Sequence, residues 1–286
     1  MRLVFMGTAV LSIIVSLGIV LSLFTEALNF LTNVDLSSLW SSTGWFPRRG
    51  AFDIKTIVVG TLLVAGIAMV VAAPLGLGAA MYLSEYARPR IRRTLKPIIE
   101  ILASIPSVVL GFFALTFISP EIVGRIWSDA TFFNMGAAGI AVGILVTPLV
   151  ASIAEDAMRA VPLSLREASY GIGARKRTTT LSVVFPASIS GIVAALIVGI
   201  SRAIGETMIV AIAAGSTGGS QFTVDPASPG QTMTAAMTAL AVGSDQVRGQ
   251  DGTFESLFFV GLLLFFMTLA LNVISERFVR RVREKY

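Results

Sequence analysis

Arg202 and Glu206 lie in Gly199-Ile200-Ser201-Arg202-Ala203-Ile204-Gly205-Glu206-Thr207-Met208, within an otherwise apolar run. A charge at the centre of a bilayer costs on the order of 2.5–3.5 kcal/mol on insertion scales, so such a pair should face protein, a counter-charge or a wet cavity. A separation of four places both residues on one side of a helix. Two readings follow. The pair could merely neutralise itself, or the guanidinium could meet a passing anion. Its planar donors match phosphate two-pronged, and the nearby carboxylate can hold that fork, accept the hydrogen of a protonated anion and keep binding weak enough for release. Ser201 and Thr207 could add hydroxyl contacts, although such side chains also bond to their own helix carbonyls.

A second polar patch occurs in Glu100-Ile101-Leu102-Ala103-Ser104-Ile105-Pro106-Ser107-Val108-Val109-Leu110-Gly111. Pro106 removes a helix donor, so the spacing predicts a kink whose freed groups Ser104 and Ser107 can satisfy. The kink either lines a pathway or is an ordinary feature of a membrane helix. Thr147-Pro148 poses the same choice. Gly191, Gly199 and Gly205 would let helices approach closely.

The elements that must hold these residues follow from hydropathy. Of 286 residues, 55% are hydrophobic and 14% charged, with a mean hydropathy of +0.82. That is too little polar surface for a soluble domain, so the chain is predicted to be an all-α membrane protein. Spanning needs about 20 apolar residues, and six runs qualify: Leu3 to Thr25, Thr56 to Tyr82, Ile98 to Ser119, Gly136 to Ile153, Val183 to Ala214 and Ser256 to Ser275. They are too long for barrel strands. The first is read as a retained anchor, because no small-residue cleavage site follows it.

Sixteen of the 22 basic residues fall on one side of this topology: Arg2, five between Arg88 and Lys96, five between Arg159 and Arg177, and five between Arg277 and Lys285. Five fall on the other: Arg48, Arg49, Lys55, Arg125 and Arg248. Both termini are therefore expected to be cytoplasmic, and the excess of positive charge is explained by topology and anionic lipid without nucleic acid. The absence of cysteine and histidine excludes disulfides, thiolate and imidazole chemistry and the usual zinc or haem ligands. The organisation expected is a first helix with an external loop, 1–55, and a five-helix core, 56–286, with a cytoplasmic loop at 154–182. The external stretch Gly215 to Glu255 reads as a loop with a helical piece, Gln231 to Ala241, and is too small for a separate binding domain.

The cytoplasmic loop reads as two short amphipathic helices. Pro162 can start the second, and Gly171 or Gly173 suits its left-handed stop. Leu163, Leu165, Ala168 and Tyr170 would supply apolar contact while Arg166 and Glu167 stay wet, on a membrane surface or in a groove of another protein. Glu167-Ala168-Ser169, Gly173, Val183, Phe185 and Pro186 resemble the pattern E-A-A-x-x-x-G, nine residues, I-x-L-P of permeases in binding-protein-dependent ABC importers, with Ser169, Val183 and Phe185 as departures. The resemblance implies a type I ABC importer permease architecture and assigns Glu167, Ala168, Ser169, Gly173 and Pro186 to coupling with an ATPase. No G-x-x-x-x-G-K-[S/T] loop occurs, so ATP and Mg are expected on a partner and this chain is expected not to be an enzyme.

Arg202-Ala203-Ile204-Gly205-Glu206-Thr207-Met208 and the segment from Glu100 to Gly111 resemble the PstC-type family of phosphate permeases over about Phe52 to Ile274. That resemblance implies a bacterial plasma-membrane importer of inorganic phosphate working by alternating access. Its partners would be a similar PstA-type permease, two ATP-binding subunits, an external phosphate-binding protein and membrane lipids. Arg202, Glu206, Thr207, Ser201, Ser104 and Ser107 would line the pathway. The same architecture could carry molybdate or sulfate, and a symporter using Glu206 as proton carrier is a further alternative.

Overall fold

The computed structural model describes residues 1–41, 43–215, 218–241 and 252–282, with side chains of Arg2 and 278–282 outside the description. The chain is helical: α1 (Arg2–Asn33), α2 (Ile54–Met81), α3 (Pro89–Leu102), α4 (Ser107–Phe113), α5 (Gly124–Ile126), α6 (Met135–Arg159), α7 (Leu163–Gly171), α8 (Lys176–Thr179), α9 (Phe185–Ala187), α10 (Ile189–Ile204), α11 (Met208–Ala213), α12 (Met233–Ala241) and α13 (Thr253–Val282). A two-residue hairpin, β1 (Trp45–Phe46) against β2 (Ala51–Phe52), turns at Gly50, whose φ of 73° suits a residue without Cβ. Among the described residues, five helical stretches are long and apolar enough to cross a membrane: Leu3–Asn33, Ile54–Tyr86, Ser107–Ile126, Met135–Arg159 and Thr253–Arg277. The pair Lys176–Ala187 and Ile189–Ile204, bent by 70°, makes a sixth if taken as one broken span. The membrane-protein reading with six spans therefore holds, with two corrections.

The third span does not run from Ile98 through a kinked Pro106. Residues to Leu102 belong to the amphipathic α3, and a new helix starts at Ser107 with Pro106 extended in front of it (ψ 129°). The cause is the proline ring, which drives the preceding residue out of the helical region and so turns a kink into a break. The fifth span, expected unbroken from Val183 to Ala214, is interrupted twice. At Ser188 the side chain donates to the Val184 carbonyl at 2.8 Å, beside Pro186. At Gly205–Thr207 the chain leaves α10 before re-entering helix at Met208. Pro148, by contrast, is carried inside continuous α6, with the Thr147 hydroxyl on the Gly143 carbonyl at 2.8 Å.

The core centres on α2 against α6, built from small residues such as Ala68, Ala72, Ala138 and Ala141. A methyl at Gly139 or Gly143 would lie 2.7 Å from the Cβ of Ile67 or Val71, so these glycines set how near the two backbones come. Gly191 and Gly199 do the same for α10 against α6: an added methyl would meet Ala157 Cβ at 2.4 Å and Val150 Cγ2 at 2.8 Å. Gly205 does not, since only its own chain's Ser201 and Arg202 carbonyls come near; it ends α10 instead. α1 packs on α13, and Phe30, Trp45, Phe52, Met233 and Val260 close a second cluster at the hairpin end. The helical piece foreseen from Gln231 is α12; residues 242–251 of that external stretch, with Arg248, and the tail residues Arg283 and Lys285 lie outside the described residues.

Candidate functional site: a broken span and a helical loop

Glu206 lies in the irregular turn after α10 rather than on its surface, so the four-residue spacing operates across a helix end. Its carboxylate Oε2 accepts Arg202 Nη1 at 2.8 Å, and Oε1 accepts the Ile209 amide at 3.5 Å in the first turn of α11. A carboxylate there also answers the exposed amides of a helix start. The Glu206 carbonyl, freed by the break, accepts the Thr234 hydroxyl of α12 at 2.7 Å, and Thr61 Oγ1 accepts the Met233 amide at 3.0 Å. Thr234 and Thr61 escape sequence reading because their partners are 28 and 172 residues away.

Burial divides the pair. The Glu206 side chain is 3% exposed and that of Arg202 48%, so the acid is sealed in the fold while the guanidinium reaches the chain's own surface. Of the other residues expected here, Thr207 donates to the Gly205 carbonyl at 3.3 Å, and Ser201 has its hydroxyl buried with no hydrogen-bond partner among the described residues. Ser104 is exposed and donates to the Ile101 carbonyl at 2.6 Å, while Ser107 opens α4. α4 packs on α11, with Gly111 against Ile209 and Ile212, but no hydrogen bond among the described residues joins Ser104 or Ser107 to Arg202 and Glu206.

Of the two short helices expected in the loop, the second forms as spaced, whereas the first, from Glu155, is the end of the continuous α6, which runs unbroken to Arg159. Pro162 stands one residue before α7, and Gly173, at φ +84°, supplies the left-handed stop, with the Ala174 amide returning to the Ser169 carbonyl at 3.1 Å. Gly171 remains helical. Leu163 and Ile172 are 70% and 87% exposed, and Glu167, Ala168 and Tyr170 share that open side. Ser169 instead faces inward, its hydroxyl 2.9 Å from that of Thr179, and Pro186 is exposed in α9.

Arg166 corrects the expectation of a wet side chain. It is 12% exposed and donates to the carbonyls of Val161 and Met158 and, at 3.0 Å, to Glu85 at the end of the second span. A second tie joins α3 to the end of α6. Glu155, fully buried, takes Arg92 Nε at 2.5 Å, while the Lys96 ammonium stands 2.9 Å from its other oxygen as a charge contact and donates to Asp156 at 2.7 Å. Burial alone would lower the Lys96 pKa, but its contacts with Asp156 and Glu155 prevail and hold it above the ordinary lysine value.

Residues 72–284 match the family described as binding-protein-dependent transport system inner membrane component. Among curated relatives, the chain is 30% identical over 284 residues to the probable ABC transporter permease protein YqgH of Bacillus subtilis (strain 168), covering 96% of this chain and 90% of that one. It is 32% identical over 257 residues to phosphate transport system permease protein PstC 1 of Mycobacterium tuberculosis (strain ATCC 25618 / H37Rv), covering 82% and 75%. Among solved structures it resembles the inward-facing MetNI methionine ABC transporter (TM-score 0.58, 20% identity, 79% of this chain and 92% of that one). It also resembles a bacterial ABC transporter involved in import of the acidic polysaccharide alginate (TM-score 0.59, 13% identity, 82% and 80%). These structural likenesses speak to the fold.

Proposed function

We propose, from the premise that this chain belongs to the family of inner-membrane components of binding-protein-dependent transport systems, that it is a PstC-type permease subunit of an ATP-driven phosphate importer. As a member it is a multi-pass protein of the bacterial inner membrane and a transport subunit rather than the ATP-hydrolysing one. The observation that carries the substrate reading is the unequal burial of Arg202 and Glu206. A pair serving only to cancel charge would best be buried together, since an uncovered guanidinium at mid-span costs several kcal/mol. Here the acid is fixed by the fold and the arginine is left facing outward, as a site for a tetrahedral anion in a cavity shared with a second, similar permease would require. Relatives bearing the phosphate name support the same substrate.

In this reading residues 1–55 are an addition to a five-helix core. An external phosphate-binding protein delivers the anion, and of the two ATP-binding subunits one docks on the open side of α7. Glu167, Ala168 and Gly173 make that contact, Ser169 braces it from behind through Thr179, and Pro186 sets the bend that follows. Arg202 holds the anion, Glu206 fixes Arg202 and limits the anion's residence, and Thr207, Ser104 and Ser107 contribute hydroxyls along the route, from which the buried Ser201 hydroxyl is set back. The deciding measurement is uptake of labelled phosphate by vesicles containing the assembled transporter, with and without internal ATP and with sulfate or molybdate as competitors. ATP-dependent uptake insensitive to those competitors is expected; preference for another oxyanion overturns the substrate, and uptake driven by an ion gradient overturns the mechanism.

A further inference from the structure

The basic side of the molecule carries a cleft of about 260 Å³ where the end of the second span meets α3 and α6. Leu83, Ala87 and Pro89 make its wall mostly apolar, Ser84 adds a hydroxyl already donated to Glu85, and Arg92, Arg93 and Arg159 bring guanidinium groups. The acids in this neighbourhood already have partners. Glu155 and Asp156 are held by Arg92 and Lys96, and Glu85 by Arg166. Arg93 and Arg159 remain, both exposed, and among the described residues neither has an ion pair or hydrogen bond. Two positive charges thus line one recess with no acidic side chain among the described residues paired to them.

We infer that this cleft binds the phosphate of an anionic phospholipid of the cytoplasmic leaflet. Guanidinium forks suit a phosphate diester, and the surface of that leaflet concentrates anionic headgroups. Free phosphate offers the same oxygens, but it would leave the wall of Leu83, Ala87 and Pro89 against a fully hydrated ion. An amphiphile places hydrocarbon there. α3 points the same way: it is amphipathic, and Ile91, Ile98 and Leu102 are uncovered in this chain, as befits a helix lying at a membrane surface. The lipid would bridge α3 to the end of α6, from which the docking loop leaves, and this holds whatever the transported substrate is.

The test uses the purified full-length chain, delipidated in detergent, with lipid binding followed by native mass spectrometry. Dioleoylphosphatidylglycerol is expected to bind in preference to dioleoylphosphatidylcholine. R93Q/R159Q should weaken that binding roughly thirtyfold, at about 1 kcal/mol per arginine near a membrane surface. R90Q, on the same helix but outside the cleft, should leave it unchanged. If the double variant aggregates, R159Q alone carries the test, with a loss of roughly fivefold on the same scale. Equal weakening by R90Q would mean diffuse surface charge and overturns the site. Binding and displacement of lipid by millimolar inorganic phosphate would reassign the cleft to a free anion. Loss of the ATPase subunits from R93Q/R159Q in a pull-down, with lipid binding intact, would make the cleft a protein contact and likewise overturn the inference.

Discussion

Glu206 serves two partners that lie on opposite sides of a break: its carboxylate meets Arg202 at 2.8 Å behind it and the Ile209 amide at 3.5 Å ahead of it. The acid is therefore fixed from both directions, while the arginine is held at one end only and left open at the other. An anion arriving at Arg202 would compete with a carboxylate that cannot move away. Under the proposed function, that competition would keep the anion's stay at Arg202 brief.

Arg202→Ala should lower phosphate uptake roughly hundredfold or more, since removing one member of a hydrogen-bonded charge contact costs about 3 kcal/mol. Assembly with the partner subunits should survive. Arg202→Lys keeps the charge and loses the fork, so it should retain intermediate activity. Glu206→Gln should act differently, lowering the apparent KM and the maximal rate together because the competitor is weakened. Initial-rate uptake in proteoliposomes measures all three, and normal uptake by Arg202→Ala removes the residue from the pathway.

Thr234→Val tests the tie between α12 and the break. It deletes the 2.7 Å bond to the Glu206 carbonyl and leaves that buried acceptor unpaired, which should cost about 1 kcal/mol of stability. Uptake should fall several-fold with no loss of ATPase binding, since the change is remote from α7. A thermal melt in detergent alongside the uptake assay separates the two effects; an unchanged melt would mean that the bond contributes nothing.

The extent to which the sequence exposed all this depends on the range of each interaction. Hydropathy found the apolar stretches because a lipid-facing helix must be apolar along its length, as in Leu3–Asn33, but it began the third inside α3, whose apolar face from Ile98 to Leu102 reads as part of the span that starts at Ser107. It could not see the break at Gly205–Thr207, because Met208–Ala213 continues the apolar composition on the far side. The loop was legible for the opposite reason: Pro162, Ser169 and Gly173 act within a dozen residues, and the left-handed turn at Gly173 is a local demand. Arg166 misled because its acid, Glu85, lies 81 residues earlier and only the packing of α7 under the second span joins them. The motif resemblance groups Ser104 and Ser107 with Arg202, whereas the fold sets them around the α4 start with no hydrogen bond to it among the described residues.

Gly173 can be probed in two steps. The space around it is open, so Gly173→Ala incurs only the left-handed backbone penalty of about 1 kcal/mol and should leave ATPase recovery nearly intact. Gly173→Asp adds a charge beside Ile172 on the docking side and should detach the ATPase subunits in a pull-down. Ile172→Asp should do the same without touching the turn. Full recovery with both aspartate variants would reject docking at this face.

Glu155 holds α3 to α6 through two cations that are themselves mostly covered, with 27% and 23% of the Arg92 and Lys96 side chains exposed. Glu155→Gln leaves Arg92 without its counter-charge and Lys96 with Asp156 alone, and should destabilise the chain by about 3 kcal/mol, the lower end for breaking a buried pair. Because the Lys96 pKa is raised by folding above its ordinary 10.5, its contribution is present in full below that pH and is lost as pH climbs through the folded value. Melting of the wild-type chain should therefore drop above about pH 10.5 more steeply than that of Lys96→Met, in which this titration is absent. Parallel curves for the two proteins would show that Lys96 draws no stability from Glu155 and Asp156, and that Arg92 alone fastens the amphipathic helix to the base of the docking loop.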